Sequence, residues 1–249
     1  MPPGAPAGRC ARYGPGLASS MTGQIEIPGQ LIGVGGPVRF NGWPAEALEF
    51  YEGLAADNTK SYWTAHKASY ERDVHAPMAA LLADLEPEFG EGRIFRPYRD
   101  VRFSADKSPY KTAIGATLAS GGYIQLSAAG LAAGSGMHQM ASDQLERYRR
   151  AVADDLSGEE LRKVIAGIEQ HDIAVTGHES LKTAPRGYPR DHPRADLLRH
   201  KGLIAWQEWP AAAWLGTAAA QGRVTGFLRA TRPLCEWLDA RVGDSETAR

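Results

Sequence analysis

Cysteines and metal-ligand patterns are scarce in this 249-residue sequence. The two cysteines, Cys10 and Cys235, lie far apart, which excludes a disulfide framework and a cysteine-rich zinc site. The seven histidines show no metal-ligand spacing, and HExxH, P-loop, GxGxxG and GxSxG patterns are absent. We therefore predict no tightly held metal and no reactive thiol, and the sequence leaves any cofactor unknown.

Long apolar runs are also missing. No stretch approaches the roughly 20 apolar residues that span a bilayer, and residues 1–20 lack the apolar core of a secretory signal. We therefore expect a cytoplasmic protein without a membrane interaction. The formal net charge of −1 disfavours nucleic acid as a partner, because dedicated nucleic-acid binders are usually basic. The sequence does not indicate the oligomeric state.

Composition divides the chain into three parts. Residues 1–36 are rich in glycine, proline and alanine and bury too little to offset their ordering entropy, so we expect a disordered extension. A translation start at Met21 instead of Met1 fits the same composition. Residues 37–243 are expected to form one domain, and residues 244–249 a loose tail.

Hydrophobic periodicity predicts the order of helices and strands. Helical spacing begins at Ala47 and returns at Leu145. Between them, residues 94–137 form short segments separated by glycine, serine and proline, which predicts an antiparallel meander. Residues 202–209 offer one further strand. The fold class predicted is α+β, with an antiparallel sheet of short strands in the middle of the chain and helices before and after it.

Three local features are predicted in more detail. Residues 99–104 are interpreted as extended, so that their side chains alternate between two faces. The spacing over residues 157–160 predicts a capping box at the start of a helix. The C-terminal helix over residues 224–242 is expected to be interrupted near Pro233.

The densest cluster of charge lies in RDVRFSADKSPYKT, residues 99–112. From residue 96 to residue 111, five basic residues oppose two acidic ones: Arg96, Arg99, Arg102, Lys107 and Lys111 against Asp100 and Asp106. The positive excess suits a carboxylate or a phosphate, which the planar fork of Arg102 can bind. A structural ion-pair network that fixes a strand to its turn explains the same residues equally well.

A second polar segment, PRGYPRDHP, spans residues 185–193. Its three prolines and its glycine exclude a helix, and irregular polar loops often carry binding residues. The candidates in this segment are Arg186, Tyr188, Asp191 and His192. A surface loop stiffened by proline is the alternative interpretation.

These motifs carry a resemblance to a known family. RDVRFSADKSPYKT, GSGMH at 134–138 and PRGYPRDHP resemble a widespread family of bacterial and fungal proteins described as a domain of unknown function. The resemblance extends from about Phe40 to Leu238. It implies the extent of the domain, and it implies no reaction, cofactor or partner.

The chain departs from the family pattern at a few positions. It has Tyr62-Trp63 where the family usually has Trp-Phe, and it has Ala113 and Gln125 where the family often has histidine. The departures argue against a site that needs imidazole groups on the strands around residues 112–126.

Two functional hypotheses follow from the two clusters. In the first, the clusters converge around a pocket for an anionic small molecule such as a phosphate, a nucleotide or a carboxylate. The ligand-binding residues of this pocket are predicted to be Arg99, Arg102, Lys107, Tyr110, Lys111, Arg186, Tyr188 and Asp191. The candidates for acid–base chemistry in it are Asp100, Asp106 and His192. In the second, the protein is a non-catalytic interaction module whose charged cluster is structural or contacts a protein or a nucleic acid. The sequence does not decide whether the protein is an enzyme.

Overall fold

The structure, a computed structural model, describes residues 39–102, 104–177 and 179–246. The predicted α+β class is confirmed, since helices precede and follow a six-stranded antiparallel sheet. The extension predicted over residues 1–36 and the last three residues of the predicted tail lie outside the described residues. No helix in the described part of the chain is long and apolar enough to cross a bilayer.

The helices and strands follow in chain order. The helices are α1 (Ala45–Ala56), α2 (Lys60–Ser69), α3 (Ala76–Phe89), α4 (Ser142–Ala153), α5 (Asp155–Glu169), α6 (Ala195–Leu198) and α7 (Ala219–Arg241). A π-helical turn (Tyr70–His75) joins α2 to α3, and a 3₁₀ turn (Ala213–Gly216) precedes α7. The strands are β1 (Gly92–Ile94), β2 (Ala113–Leu118), β3 (Gly122–Ser127), β4 (Gly130–Met137), β5 (Ala174–Thr176) and β6 (Leu203–Pro210).

The first helices form where local chemistry favours them. Thr59 caps α2 by accepting a hydrogen bond from the backbone N–H of Tyr62 at 3.3 Å. Pro77 lies in the first turn of α3, where its missing N–H costs nothing. A π-helical turn leads directly into α3 before this proline.

The strand order in the sheet is β1-β2-β3-β4-β6-β5, and all neighbours are antiparallel. Side chains of a strand alternate between the two faces of the sheet. One face, which we call the core face, carries buried residues at successive register positions: Ala116, Ile124, Ala133, and Ser135 beside Ala205.

The helices pack on the core face. The side chain of Leu82 in α3 fills the space that a side chain at Gly92 would need. The side chain of Leu228 in α7 fills the corresponding space at Gly122. On β4, the hydroxyl of Ser135 lies 2.9 Å from the sulfur of Cys235 in α7. Cys235 is 6 % exposed, so its side chain belongs to the buried core.

The opposite face, which we call the open face, carries the other residues of the same strands. Thr117, Tyr123 and Trp206 project from it at the level of Gly134. One step along the sheet, Gly115 is aligned with Gln125, Ala132 and Glu208. Several of these side chains are half-buried or exposed, which sets this face apart from the core face.

Three local predictions are wrong in detail. Residues 99–102 belong to no strand, because the chain turns after Arg99: the backbone N–H of Arg102 donates to Asp100 at 3.2 Å and that of Ser104 to the carbonyl of Val101 at 3.4 Å. Helix α5 begins earlier than predicted, since Asp154 is its cap and accepts from the backbone N–H of Ser157 at 2.9 Å. Helix α7 continues through Pro233 without interruption, since its packing against the sheet outweighs one missing N–H. The short strand β5 was missed because it is only three residues long.

Candidate functional site

The predicted cluster of charge lies in a hairpin-like excursion between β1 and β2. Its two arms pair through the backbone: Arg99 donates to the carbonyl of Pro109 at 2.9 Å, and Lys111 donates to the carbonyl of Pro97 at 2.8 Å. A bridge between Tyr98 and Tyr110 lies between these two bonds. The 97–111 segment therefore extends the β1–β2 ladder beyond the edge of the sheet.

Tyr110 ties this segment to the helices. Its ring stacks on Trp63 of α2, with the centroids 4.5 Å apart and the planes at 7°. The side chain of Asn58 donates to the carbonyl of Tyr110 at 3.0 Å and accepts from its N–H at 3.1 Å. Tyr110 is only 5 % exposed, so the structure places this predicted ligand-binding residue in the core.

Most of the predicted anion-binding cations have partners inside the segment. Arg99 forms an ion pair with Asp106. Arg102 donates to Asp100 through two guanidinium nitrogens, at 3.0 and 2.7 Å. The ammonium group of Lys107 donates to the carbonyl of Val101 at 2.9 Å. These contacts are those of the structural ion-pair network that the sequence left open as an alternative.

The two carboxylates of the segment are held in their charged form. Hydrogen bonds from Arg102 lower the pKa of Asp100 to about 2. Hydrogen bonds from Ser108 and Arg99 lower the pKa of Asp106 well below its usual range. Both groups stay ionised at neutral pH, and a general acid or base works best with a pKa near the working pH. The geometry therefore does not favour them as proton carriers.

Lys111 differs from the other cations of the segment. It is half-buried, and its ammonium nitrogen lies 5.4 Å from the ring centroid of Phe95, over the ring. Burial, followed by the like charge of Arg96, lowers the pKa of Lys111. Among the described residues, no carboxylate forms an ion pair with Lys111. Within the described part of the chain, its charge therefore has no carboxylate partner.

Aromatic rings cross the open face beside Lys111. The backbone N–H of Phe95 donates to the carbonyl of Gly115 at 2.8 Å, so Phe95 continues the pairing of β1 with β2. The ring of Phe95 lies 6.2 Å from that of Tyr123, which in turn lies 6.1 Å from that of Trp206. The angles between these planes are 31° and 23°. We call Phe95, Tyr123 and Trp206 the aromatic row.

Two glycines make this arrangement possible. A side chain at Gly115 would meet the hydroxyl oxygen of Tyr123 at 2.7 Å, so the tyrosine ring leans over that position. Gly134 lies between Tyr123 and Trp206 in the register of the sheet, and its missing side chain lets the two rings approach each other. Glycine inside a strand often marks such a close approach.

Polar groups accompany the aromatic row. The hydroxyl of Tyr123 donates to the side-chain oxygen of Gln125 at 2.8 Å, and burial raises the pKa of Tyr123 to about 12. The indole N–H of Trp206 donates to the carboxylate of Glu208 at 2.9 Å. The open face therefore has a positive end at Lys111 and a negative end at Glu208.

The second predicted cluster lies elsewhere in the fold. The 97–111 segment follows β1 at one edge of the sheet, at the end where Ala113 begins β2. The 185–193 segment lies between β5 and β6 at the other edge, where Leu203 begins β6 opposite Met137. The predicted convergence of the two clusters in one pocket is therefore wrong. Sequence reasoning could not detect this separation, because the order of the strands decides it.

The residues predicted in the 185–193 segment have varied surroundings. Arg186 and Asp191 are exposed, and Tyr188 packs in part against the core. His192 accepts a hydrogen bond from the backbone N–H of Arg194 through Nδ1, at 3.0 Å. These placements are typical of a surface loop that is fixed at a few points.

Arg194 is an important residue that the sequence analysis missed. Its side chain is 3 % exposed and donates to the carbonyls of Val152 and Ala153 at the end of α4, at 2.6 and 3.0 Å. It also pairs with Asp155 and Glu159 at the start of α5. Buried arginine with this many acceptors fixes a helix junction. Nothing in the local sequence distinguishes it from the exposed arginines nearby.

A cavity of about 310 Å³ lies near the second edge, between α5 and β5. It is lined by Arg162, Ile165, Ala166, Glu169, Val175, Asp196, Leu197 and His200. Nδ1 of His200 lies 2.6 Å from the hydroxyl oxygen of Ser180, and burial lowers the pKa of this histidine. None of the residues predicted from the sequence lines the cavity, so the anion hypothesis gains nothing from it.

Comparisons with known proteins identify a family but no activity. The model of a conserved hypothetical protein family, DUF2461, matches residues 46–237. A conserved hypothetical protein from Pyrococcus furiosus is similar at 12% identity, with a TM-score of 0.34, over 69% of this chain and 96% of that chain. No functionally curated protein shows significant similarity.

Proposed function

The chain belongs to the DUF2461 family of conserved hypothetical proteins, and we propose that it binds an anionic small molecule at Lys111, on the β1 edge of the open face. The ligand is a phosphate, a nucleotide or a carboxylate. The anion is the one expected from the sequence, but its site lies at one edge of the sheet and does not involve the 185–193 segment.

The charge of Lys111, which forms no ion pair with a carboxylate among the described residues, carries this proposal. A half-buried ammonium group is destabilised by loss of water, and the neighbouring Arg96 adds repulsion. A bound anion removes both penalties, since it supplies a hydrogen-bond acceptor and an opposite charge. Arg99, Arg102 and Lys107 support the site indirectly, because their contacts within the segment fix the backbone that leads to Lys111.

The proposal is for binding without acid–base catalysis. Asp100 and Asp106 have lowered pKa values and remain ionised at neutral pH. His192, the third candidate for proton transfer, belongs to the segment at the other edge of the sheet. None of the three candidates for proton transfer is therefore suited to act at Lys111.

Titration calorimetry with pyrophosphate and citrate tests the proposal. We expect at least one of them to bind the full chain and to raise its Tm, since a ligand of the native state stabilises it by mass action. Lys111→Met should weaken this binding roughly tenfold or more, because a charged hydrogen bond contributes about 1.5–3 kcal/mol. Methionine keeps most of the side-chain length and the contact with Phe95.

Lys163→Gln is the matched control, since Lys163 is an exposed lysine on α5 near the other edge of the sheet. It removes one positive charge without touching the open face, so affinity should stay unchanged. An equal loss in both variants would mean that net charge alone governs binding. That result, or no binding of either anion, would overturn the proposed site.

A further inference from the structure

The aromatic row is an unusual feature for a surface that binds only an inorganic anion. The ring of Tyr123 in β3 stacks with that of Trp206 in β6 and lies tilted to that of Phe95, which follows β1, with successive centroids about 6 Å apart. The ring of Tyr123 leans over Gly115, and Gly134 lies between Tyr123 and Trp206 in the register of the sheet. Aromatic rings that lie along a sheet bind planar heterocycles by stacking, and each stacked base contributes about 1–3 kcal/mol.

We infer that the aromatic row stacks the base of a mononucleotide whose phosphate lies at Lys111. This inference rests on the anion site proposed above and names the ligand class for it. Tyr123 is the central ring, 6.2 Å from Phe95, and the ammonium nitrogen of Lys111 lies over the ring of Phe95, 5.4 Å from its centroid. A base on Tyr123 and Trp206 therefore directs its phosphate along the face toward the ammonium group.

The charges on the open face agree with this orientation. Lys111 lies at the β1 edge, and the exposed carboxylate of Glu208 lies at the opposite end of the row beside Trp206. A carboxylate accepts hydrogen bonds only, so it pairs with N–H groups on the edge of a base. Guanine has such donors on its Watson–Crick edge and is the base that suits this end best.

A single nucleotide fits this face better than a strand of nucleic acid. Backbone phosphates need a series of available cations, whereas Arg99, Arg102 and Lys107 contact acceptors within their own segment. Glu208 would also repel a phosphate that continued past the base. The chain as a whole has a net charge of −1, which gives a polyanion no general attraction.

The test compares guanosine 5′-monophosphate with ribose 5-phosphate, which offers the same phosphate without a base. In titration calorimetry on the full chain we expect the nucleotide to bind roughly tenfold or more tightly than the sugar phosphate. Trp206→Leu should bring the nucleotide close to the affinity of ribose 5-phosphate and leave ribose 5-phosphate itself unchanged. Lys111→Met should weaken both ligands.

Two further variants keep the test decisive. Gly115→Ala retains every ring but adds a methyl group 2.7 Å from the hydroxyl oxygen of Tyr123, so it should weaken nucleotide binding even if Trp206→Leu does not fold. Trp214→Leu is the control, because Trp214 is a half-buried ring that stacks with Arg223, whose guanidinium carbon is 4.5 Å away. It should leave both affinities unchanged.

The possible results separate this inference from the proposal beneath it. Equal affinities for the two ligands, both reduced by Lys111→Met, would overturn base stacking and keep the anion site. Nucleotide binding that depends on Trp206 but not on Lys111 would overturn the anion site at Lys111 and keep base stacking. A short single-stranded RNA that binds far more tightly than the mononucleotide would replace the inferred ligand with a polynucleotide. If the nucleotide, the sugar phosphate and the RNA all fail to bind, both claims are overturned.

Discussion

The side chain of Asn58 forms two hydrogen bonds with the backbone of Tyr110: it donates to the carbonyl at 3.0 Å and accepts from the N–H at 3.1 Å. An amide side chain offers a donor and an acceptor at the spacing of a neighbouring strand. Asn58 lies between α1 and α2, so these two bonds attach the 97–111 segment to the helical part of the fold.

Asn58→Ala should lower the free energy of unfolding by about 1–3 kcal/mol, because it leaves two partly buried backbone groups of Tyr110 without these partners. Urea denaturation measures this loss. Asn41→Ala is the control, since Asn41 is exposed, and it should change stability by less than about 0.5 kcal/mol. Equal effects of the two substitutions would contradict a role for Asn58 as an anchor.

Lys111→Met should stabilise the protein at neutral pH while it weakens anion binding. Burial lowers the pKa of Lys111 below its usual value of 10.5, so the unfolded chain binds more protons than the native one between the lowered pKa and 10.5. Wild-type stability therefore rises with pH through that window. The advantage of the variant, measured as the difference in Tm, should shrink as pH rises toward 10.5. A variant that is less stable at every pH would show that the ammonium group is satisfied in the native state.

Gly158→Ala should destabilise the protein although alanine normally favours a helix. A methyl group at Gly158 would lie 2.4 Å from Nε of Arg194 and 2.4 Å from the carbonyl oxygen of Val152. It would displace the buried guanidinium from its acceptors, at a cost of roughly 1–3 kcal/mol in the free energy of unfolding.

Gly167→Ala in the same helix gives the matched control, because nothing lies within 4 Å of the added methyl group. This substitution should stabilise the protein by up to about 1 kcal/mol. Opposite signs for the two variants in chemical denaturation are the expected result. Stabilisation by both would mean that Arg194 adjusts without loss.

Asp100 should titrate well below an ordinary aspartate. Its pKa is lowered to about 2 by Arg102, so the stability it contributes is present at neutral pH and is lost only as pH falls below 3.8 toward 2. The backbone N–H of Arg102 donates to Asp100 at 3.2 Å and reports this change in NMR. In Arg102→Gln the midpoint should move up toward 3.8, and an unchanged midpoint would assign the shift to another cause.

The sequence was enough to predict the fold class, because its evidence is local. Apolar residues at helical spacing around Phe50 and Leu81 are buried as expected, and the glycine-punctuated middle of the chain forms the meander. The ion pair between Asp100 and Arg102 was also predictable, since only one residue separates them in the sequence. Each of these inferences needs no knowledge of distant contacts.

The aromatic row and the junction at Arg194 could not be predicted in the same way. Tyr123 and Trp206 belong to two different strands, and Phe95 directly follows a third. Only the register of the sheet brings the three rings together. Arg194 contacts α4 and α5 across about forty residues of chain. The one available signal was glycine at 115 and 134 within apolar strands, which indicates a close approach without saying what approaches.

The helix contacts described at Gly92, Gly122 and Ser135 all lie on the core face, and this has a consequence for how the sequence can change. The proposed binding and the folding depend on alternate residues of the same strands, so one set can vary while the other is held constant. Ala113 and Gln125, where the chain departs from the family pattern, both belong to the open-face set. Substitutions along β2 and β3 should therefore be tolerated with a period of two, and a family of this architecture can acquire new ligands without rebuilding its core.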